Sequence, residues 1–310
     1  MARPLHVVLY HPDRLPVERY GGTERVVVWL ARGLAALGHE VTLIAGPRTR
    51  VAEAKVITIP HAITRKAGGP DLSPWIPPGT DVVHAHVPMY HLPPGVPHLW
   101  TLHGNATPEP PLLDTAIALS ADHARRHGIA RWVHNGLDPA DYRFATTKGD
   151  SDLFLGRLHS VKGWQWAIAG ARESERRLVV AGGWRPSVRR DLQFVGRVGG
   201  ERKIALLADA ACLWMPVQWD EPFGLATIEA MVSGTPVLGT HRGALPEIVT
   251  PDSGALGDSI EELVQLRPGL DSLDPEQIRD RVLRHFTHLV MAEAYVTIYR
   301  DAIANYRGRG

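Results

Sequence analysis

The chain has 310 residues, 44% of them apolar and 22% charged, with a formal net charge of +1. That length exceeds what one hydrophobic core usually organises, so two domains of about 150 residues are expected. With the charge so balanced, nothing argues for bulk nucleic-acid binding or a strongly anionic membrane surface as partners.

The single Cys212 cannot form an internal disulfide, which fits a reducing compartment. No stretch reaches about 18 uninterrupted apolar residues, so no membrane-spanning segment is expected, although peripheral membrane contact stays open. The start, MARPLHVVLYHP, has no secretory-leader core. The expected location is the cytoplasm.

LHVVLY (5–10) begins a series of short apolar runs: EVTLIAG (40–46), KVITIP (55–60), DVVHAH (81–86), HLWTLH (98–103), TAIALS (115–120) and RWVHNG (131–136). Most are apolar on consecutive residues, as in parallel strands covered by helices on both faces. Between the first two, TERVVVWLARGLAALGHE places Val27, Leu30, Leu34 and Leu37 at helical spacing, with Gly38 as the C-terminal stop. ATTKGD (145–150) has the polar composition of a linker. A second series follows: SDLFLG (151–156), RLVVAGG (177–183), LQFVGRV (192–198), ACLWMPV (211–217) and TPVLGT (235–240). Residues 288–306 read as one amphipathic helix. This alternation predicts an α/β chain with two Rossmann-like, doubly wound domains, residues 1–147 and 148–287, the first completed by the helix from about 288 to 310. Ligands are then expected at the carboxyl ends of the strands.

Common nucleotide and hydrolase motifs are absent. No G-x-G-x-x-G follows a strand, since GGW (182–184) and GRVGG (196–200) have the wrong spacing. Gly-Lys, GxSxG and HExxH do not occur. The two histidines of HAH (84–86) are read as pointing to opposite faces of a strand, hence as structural. Asp150 and Asp152 have a metal-site spacing but stand at the start of a strand, and are read as linker charges.

Four segments lie where a strand meets a loop or helix. In GGTE (21–24), Gly21 and Gly22 let the backbone approach a ligand, ahead of a helix start that attracts anions. The competing reading is a flexible loop with a Thr cap. LHGN (102–105) ends a strand on His103, and a lone strand histidine is more often a satisfied core residue. LFLGRLHSVKGW (153–164) runs from a strand into Gly156 and Arg157, with Lys162 at the next helix start. Two such cations suit a diphosphate, or else are solvated surface charges. The fourth is EPFGLATIEA (221–230), where the amides around Phe223, Gly224, Leu225 and Ala226 open a helix towards the strand ends. A carboxylate is repelled by a phosphate, so Glu221 and Glu229 are assigned to hydroxyls, which an ionised carboxylate accepts in pairs. A nucleotide sugar offers this combination: a diphosphate with hydroxyls on both sides.

With these segments in this order, the chain resembles the retaining glycosyltransferases of the GT-B fold, family 4 (glycosyl transferases group 1). EPFGLATIE followed by AMVSGTPVLGTHRGALPEIV is similar to the family's most specific signature. GRLHSVKGW, HNGLDPADYRF and YGGTERVVVWLARGLAALGHEVTL match its other segments, so the likeness runs from about residue 5 to 250. The resemblance implies two domains facing a central cleft. It implies Arg157 and Lys162 on the donor diphosphate, with backbone at Gly21, Gly22 and Gly156. Glu229 would bind the ribose; Glu221, with the Phe223–Leu225 amides, the transferred sugar. His103 would lie near the reacting sugar and the loop of Arg197 near the base. The final helix, with Tyr295 and Tyr299, would pack on the first domain. Two departures stand out: Met215-Pro216-Val217 replaces a usual Pro-Ser, and Gly243-Ala244 replaces a double glycine. The chain is also shorter than most relatives.

The implied reaction moves a sugar from a nucleoside-diphosphate sugar to an acceptor hydroxyl with retained configuration, by front-face displacement. Positioning and fixed charge supply the catalysis. No metal and no cofactor are expected, and a UDP-sugar is the favoured donor. The acceptor would be a small molecule or a glycan, with candidate contacts in the Pro-rich loops at 70–78 and 88–97, Trp75 and Tyr90 among them; Trp219 could stack on a sugar or base. No nucleic-acid partner is expected, and the oligomeric state is open. Two other readings stay open: a sugar-nucleotide epimerase or hydrolase on the same fold, and a non-catalytic nucleotide-sugar-binding protein.

Overall fold

The computed structural model describes residues 3–17, 21–64, 69–91, 93–106 and 112–307. Among these, residues up to 136 and from 287 onwards form unit 1, and residues 137–286 form unit 2.

Unit 1 begins with β1 (His6–His11), α1 (Gly22–Ala36), β2 (Glu40–Ala45), β3 (Lys55–Thr58), α2 (His61–Thr64), β4 (Val82–Ala85), β5 (His98–Thr101), β6 (Ala116–Ile117) and α3 (Ala121–His127). The strands are parallel and ordered β3-β2-β1-β4-β5-β6. Val7, Val8, Leu9 and Tyr10 make β1 buried on both faces, which is why it sits centrally. In α1 the spaced Val27, Leu30 and Leu34 are buried, and Gly38 follows in the left-handed conformation (φ 82°). RWVHNG is not a strand: only a single bridge, Ala118 to Trp132, forms there. Its last residue, Gly136, packs so closely on Thr287 that a Cβ would overlap the Thr287 carbonyl.

Unit 2 comprises β7 (Ser151–Leu155), α4 (Trp164–Glu173), β8 (Arg177–Ala181), β9 (Leu192–Gly196), α5 (Gly200–Asp209), β10 (Leu213–Met215), α6 (Leu225–Val232), β11 (Val237–Gly239), α7 (Leu245–Ile248), β12 (Gly254–Leu256), α8 (Ile260–Leu266) and α9 (Pro275–His285). Its parallel strands run β12-β11-β10-β7-β8-β9. One core gathers Phe154, Leu178, Cys212, Trp214 and Leu238. Strand β12 completes the sheet from a Gly-Ala-Leu stretch with no strand signal of its own.

The expected linker at 145–150 is embedded in unit 2. Gly149 N donates to Asp209 O (2.7 Å). The Lys148 ammonium reaches Ala208 O (3.0 Å), Ser233 O (2.8 Å) and Thr235 Oγ1 (3.0 Å), closing the ends of α5 and α6. By their internal packing the two compact units divide after Gly136, and residues 137–147 lie with unit 2.

The last helix, α10 (His288–Arg307), returns to unit 1 and packs on α1. Gly33 makes this approach possible, because a Cβ there would overlap the His288 carbonyl. Met291, Tyr295, Tyr299 and Ile303 form the buried stripe at intervals of about four residues. Among the described residues no helix is long and apolar enough to cross a membrane.

Candidate active site

The EPFGLATIEA stretch joins β10 to α6 and is held from two sides. Gly163 (φ 72°) lets the turn at Ser160–Lys162 press against Pro216, and Gln218 N donates to Val161 O (2.7 Å). On the other side Gly243 (φ 62°) lies against the backbone of Glu221, and Ala244 N donates to Glu221 O (2.9 Å). One glycine and one alanine, Gly243 and Ala244, thus hold Glu221 from this side. Gly224 (φ 87°) starts α6 with no side-chain cap. In the first turn, Thr227 Oγ1 is buried with no hydrogen-bond partner among the described residues. Phe223 buries its ring against Phe286, 6.1 Å between centroids.

The two glutamates find different partners. Glu221 Oε2 accepts from the Lys162 ammonium (2.6 Å) and from the Trp219 indole N–H (2.7 Å). Lys162 also stands 4.5 Å from the Trp219 ring centroid. Trp219 therefore touches both members of the ion pair, a role the sequence reading did not assign. Glu229 lies one turn into α6 and is 3% exposed. Its Oε1 accepts from the Tyr142 hydroxyl (2.6 Å) and from the ammonium of Lys203 on α5 (2.6 Å). Lys203 was missed because its spacing in α5 marks it only as a helix-face charge.

Arg157 and Arg197 line a separate cavity of about 810 Å³ at the carboxyl ends of β7, β8 and β9, together with His159, Gly182, Trp184 and Arg185. Gly182 packs against the Gly156 carbonyl, where a Cβ would overlap, and Gly156 N donates to Ala181 O (2.9 Å). Trp184 is 70% exposed at the cavity, and Arg185 stacks over Trp164 (4.8 Å). Arg157 and Arg197 thus share one cavity, while Lys162, Glu221 and Glu229 cluster around α6.

Unit 1 carries His103 just beyond β5. Its Nε2 lies 2.9 Å from Nδ1 of His86, just beyond β4. Burial pushes the His103 imidazole down to about 3, and nearby His11, His84 and His123 oppose further positive charge. The reading of His84 and His86 as opposite-facing is corrected: residues two apart on a strand share a face, and their rings are 4.4 Å apart. His84 is fully buried, bonded to the Tyr299 hydroxyl (2.7 Å) and Thr101 Oγ1 (2.8 Å).

Gly21, not Thr23, occupies the cap position of α1. Beside it His11, Asp13 and Glu24 each bring one ligand atom within 4.8 Å of the others. No spacing motif links them, because a strand end, a loop and a helix start meet only through folding. Tyr20 lies outside the described residues. In the proposed acceptor loops Trp75 packs against the core, while Tyr90 is exposed; Leu92 lies outside the described residues. Asp152 is not a linker charge: it is fully buried, taking Arg267 Nη2 (2.7 Å) and Nε (2.9 Å) and the Trp214 indole (2.8 Å). Asp150 pairs with Arg177 at the surface (3.0 Å).

Two doubly wound parallel sheets, with a cation-lined cavity and a glycine-opened helix beyond the strand ends of the second, match the fold of solved GT-B glycosyltransferases. The Glycosyltransferase Family 4 model matches residues 20–147, and the Glycosyl transferases group 1 model matches residues 151–266. The chain belongs to this family. The solved structure of AviGT4, a glycosyltransferase involved in avilamycin A biosynthesis, is 30% identical with a TM-score of 0.81, covering 97% of this chain and 98% of that one. The phosphatidyl-myo-inositol mannosyltransferase of Propionibacterium freudenreichii is 28% identical over 93% of each chain. The glycogen synthase of Mycobacterium tuberculosis is 28% identical over 55% of this chain and 48% of its own, so the match spans about half of that relative.

Proposed function

We propose that the protein transfers a sugar from a nucleoside-diphosphate sugar to an acceptor hydroxyl, with retained anomeric configuration. The observation that carries this reading is the Lys162–Glu221 pair beside the Gly224-opened start of α6. A diphosphate at that helix start exchanges partners with the pair. Lys162 turns to phosphate, and Glu221 is released to accept sugar hydroxyls.

Arg157 supplies a second cation, and the cavity it shares with Arg197 is large enough for a nucleoside. Glu229 contacts the ribose in this reading, with its orientation set by Lys203 and Tyr142. Lys162, Arg157 and the α6 amides stabilise the charge on the departing diphosphate. The leaving phosphate oxygen takes the acceptor proton on the same face, and the reading needs no metal for that charge. Likeness to a mannosyltransferase puts mannosyl donors beside the UDP-sugars favoured by the sequence.

The test is thermal stabilisation by UDP, GDP, ADP and dTDP, because a ligand bound only by the folded state raises its apparent stability. One nucleotide should raise the melting temperature well above the others, and Arg157→Ala should abolish the rise. A flat response to all four would sink the reading.

A further inference from the structure

We infer that His86 sets the tautomer of His103, leaving the His103 proton on Nδ1, so that His103 meets its substrate as a hydrogen-bond donor and not as a base. The statement about substrate rests on the proposed function; the tautomer does not.

The argument begins with the 2.9 Å contact between His86 Nδ1 and His103 Nε2, in which one nitrogen must donate to the other. His86 is 3% exposed, and its second nitrogen, Nε2, is buried without a partner among the described residues. If His103 donated, His86 would carry its proton on that orphaned Nε2, as a buried N–H bonded to nothing. If His86 donates, the orphan is only a lone pair. Buried unpaired N–H groups are the rarer and costlier of the two, so His86 donates from Nδ1. His103 accepts at Nε2, and a neutral imidazole has one proton, which therefore sits on Nδ1.

Both rings stay neutral near pH 7. Burial drives His86 well below its ordinary value and His103 to about 3. The ring of His86 is also held in place. It packs between His103 (5.2 Å between centroids) and His84 (4.4 Å). His84 is pinned by Tyr299 and by Thr101, which in turn bonds the Tyr295 hydroxyl (2.9 Å). The tyrosines of α10 thus support His103 through two intervening rings.

Nδ1 is the one nitrogen His103 has left, and it already bears a proton. It can orient a sugar hydroxyl or stabilise a developing negative charge, but it cannot remove the acceptor's proton. His86 is accordingly a positioning residue.

Long-range proton–nitrogen correlation spectra of the 15N-labelled protein, recorded without substrate, report which ring nitrogen carries the proton. His103→Gln and the His86 variants supply the assignments. Nδ1–H is expected on both His86 and His103, and Nε2–H on His103 would overturn the inference. His86→Asn presents an amide N–H in place of Nδ1 and should preserve the His103 tautomer and most turnover. His86→Leu should release His103 to Nε2–H and lower kcat roughly 10- to 100-fold, as when partners that orient a functional histidine are lost, with the donor KM little changed. Full turnover in a His86→Leu protein whose His103 has switched, or a His86→Asn protein as impaired as His86→Leu, would overturn the assigned role. Should His86→Leu fail to fold, the wild-type spectrum and His86→Asn decide. Wild-type tautomers as expected, with no transfer from any nucleotide sugar, would instead count against the proposed function.

Discussion

The ammonium of Lys162 lies 2.6 Å from Oε2 of Glu221, and the indole of Trp219 touches both. The two groups proposed to handle phosphate and sugar thus neutralise each other. Their separation on the chain, 59 residues, is closed by the paired turns around Gly163 and Gln218.

Replacing either member of this pair should have unlike effects. Lys162→Ala should lower kcat by about 100- to 1,000-fold, the usual loss for one group stabilising transition-state charge. Glu221→Gln should also depress turnover but tighten binding of the nucleoside diphosphate alone, because Lys162 no longer has a competing carboxylate. Calorimetry of the nucleotide and steady-state rates check both. A Glu221→Gln protein that binds the nucleotide more weakly would refute the exchange of partners.

Trp219 offers its N–H to Glu221 and its face to Lys162. Trp219→Phe keeps a face and loses the donor, so kcat/KM should fall roughly 10-fold, matching about 1.5 kcal/mol for a hydrogen bond to a charged group. Trp219→Ala loses both and should fall further. Equal rates for the two variants would show that the ring face contributes nothing and only the indole N–H matters.

Glu229 and Lys203 form a buried pair. Glu229→Ala leaves an ammonium buried without its carboxylate and should cost about 3–5 kcal/mol of stability. Adding Lys203→Met should recover much of that loss. Denaturant titration of the single and double variants measures it, and a double variant less stable than the single one would contradict the account.

Gly243 has φ 62°, and a Cβ there would overlap the backbone of Glu221. Gly243→Ala should cost at least about 1–3 kcal/mol in strain and displace Glu221. Melting temperature and turnover should drop together. A fully active Gly243→Ala protein would show that the contact is dispensable.

The histidines of unit 1 predict acid lability. Burial lowers His84 and His103 to about 3 and His123 to about 4, against an ordinary value of 6.5. Above 6.5 folded and unfolded chains are both neutral at these rings. Below it the unfolded chain binds protons that the folded one refuses, so stability is lost as pH falls towards 3. Each such histidine contributes a slope of about 1.4 kcal/mol per pH unit. His84→Asn should remove one proton's worth of slope from urea unfolding free energies measured between pH 4 and 6.5. An unchanged slope would show that His84 does not titrate on unfolding.

Much of the architecture was legible because it depends on neighbours in the chain. Consecutive apolar residues in LHVVLY and RLVVAGG can be satisfied only between two covering layers, and the spacing of Val27, Leu30 and Leu34 only by a helix. The glycine-punctuated turn before LATIEA also declares itself locally, since Gly224 supplies a conformation other residues resist. RWVHNG carries the same apolar signal yet forms a single bridge. Periodicity cannot say whether a partner strand is there to pair with.

The sequence by itself determined two parallel α/β sheets and their approximate strands, and it marked the stretches proposed to carry the chemistry. Tertiary structure alone decided which side chains meet. Asp152 is a buried acceptor because Arg267 arrives from 115 residues away. Glu229 is tied to Lys203 and Tyr142, and His86 to His103. Lys148, in a segment with a linker's composition, clamps the ends of two helices. The physical reason is the same in each case. Local propensity records how a residue suits its own segment, whereas the partner of a charge or an imidazole depends on which distant segment packing brings against it.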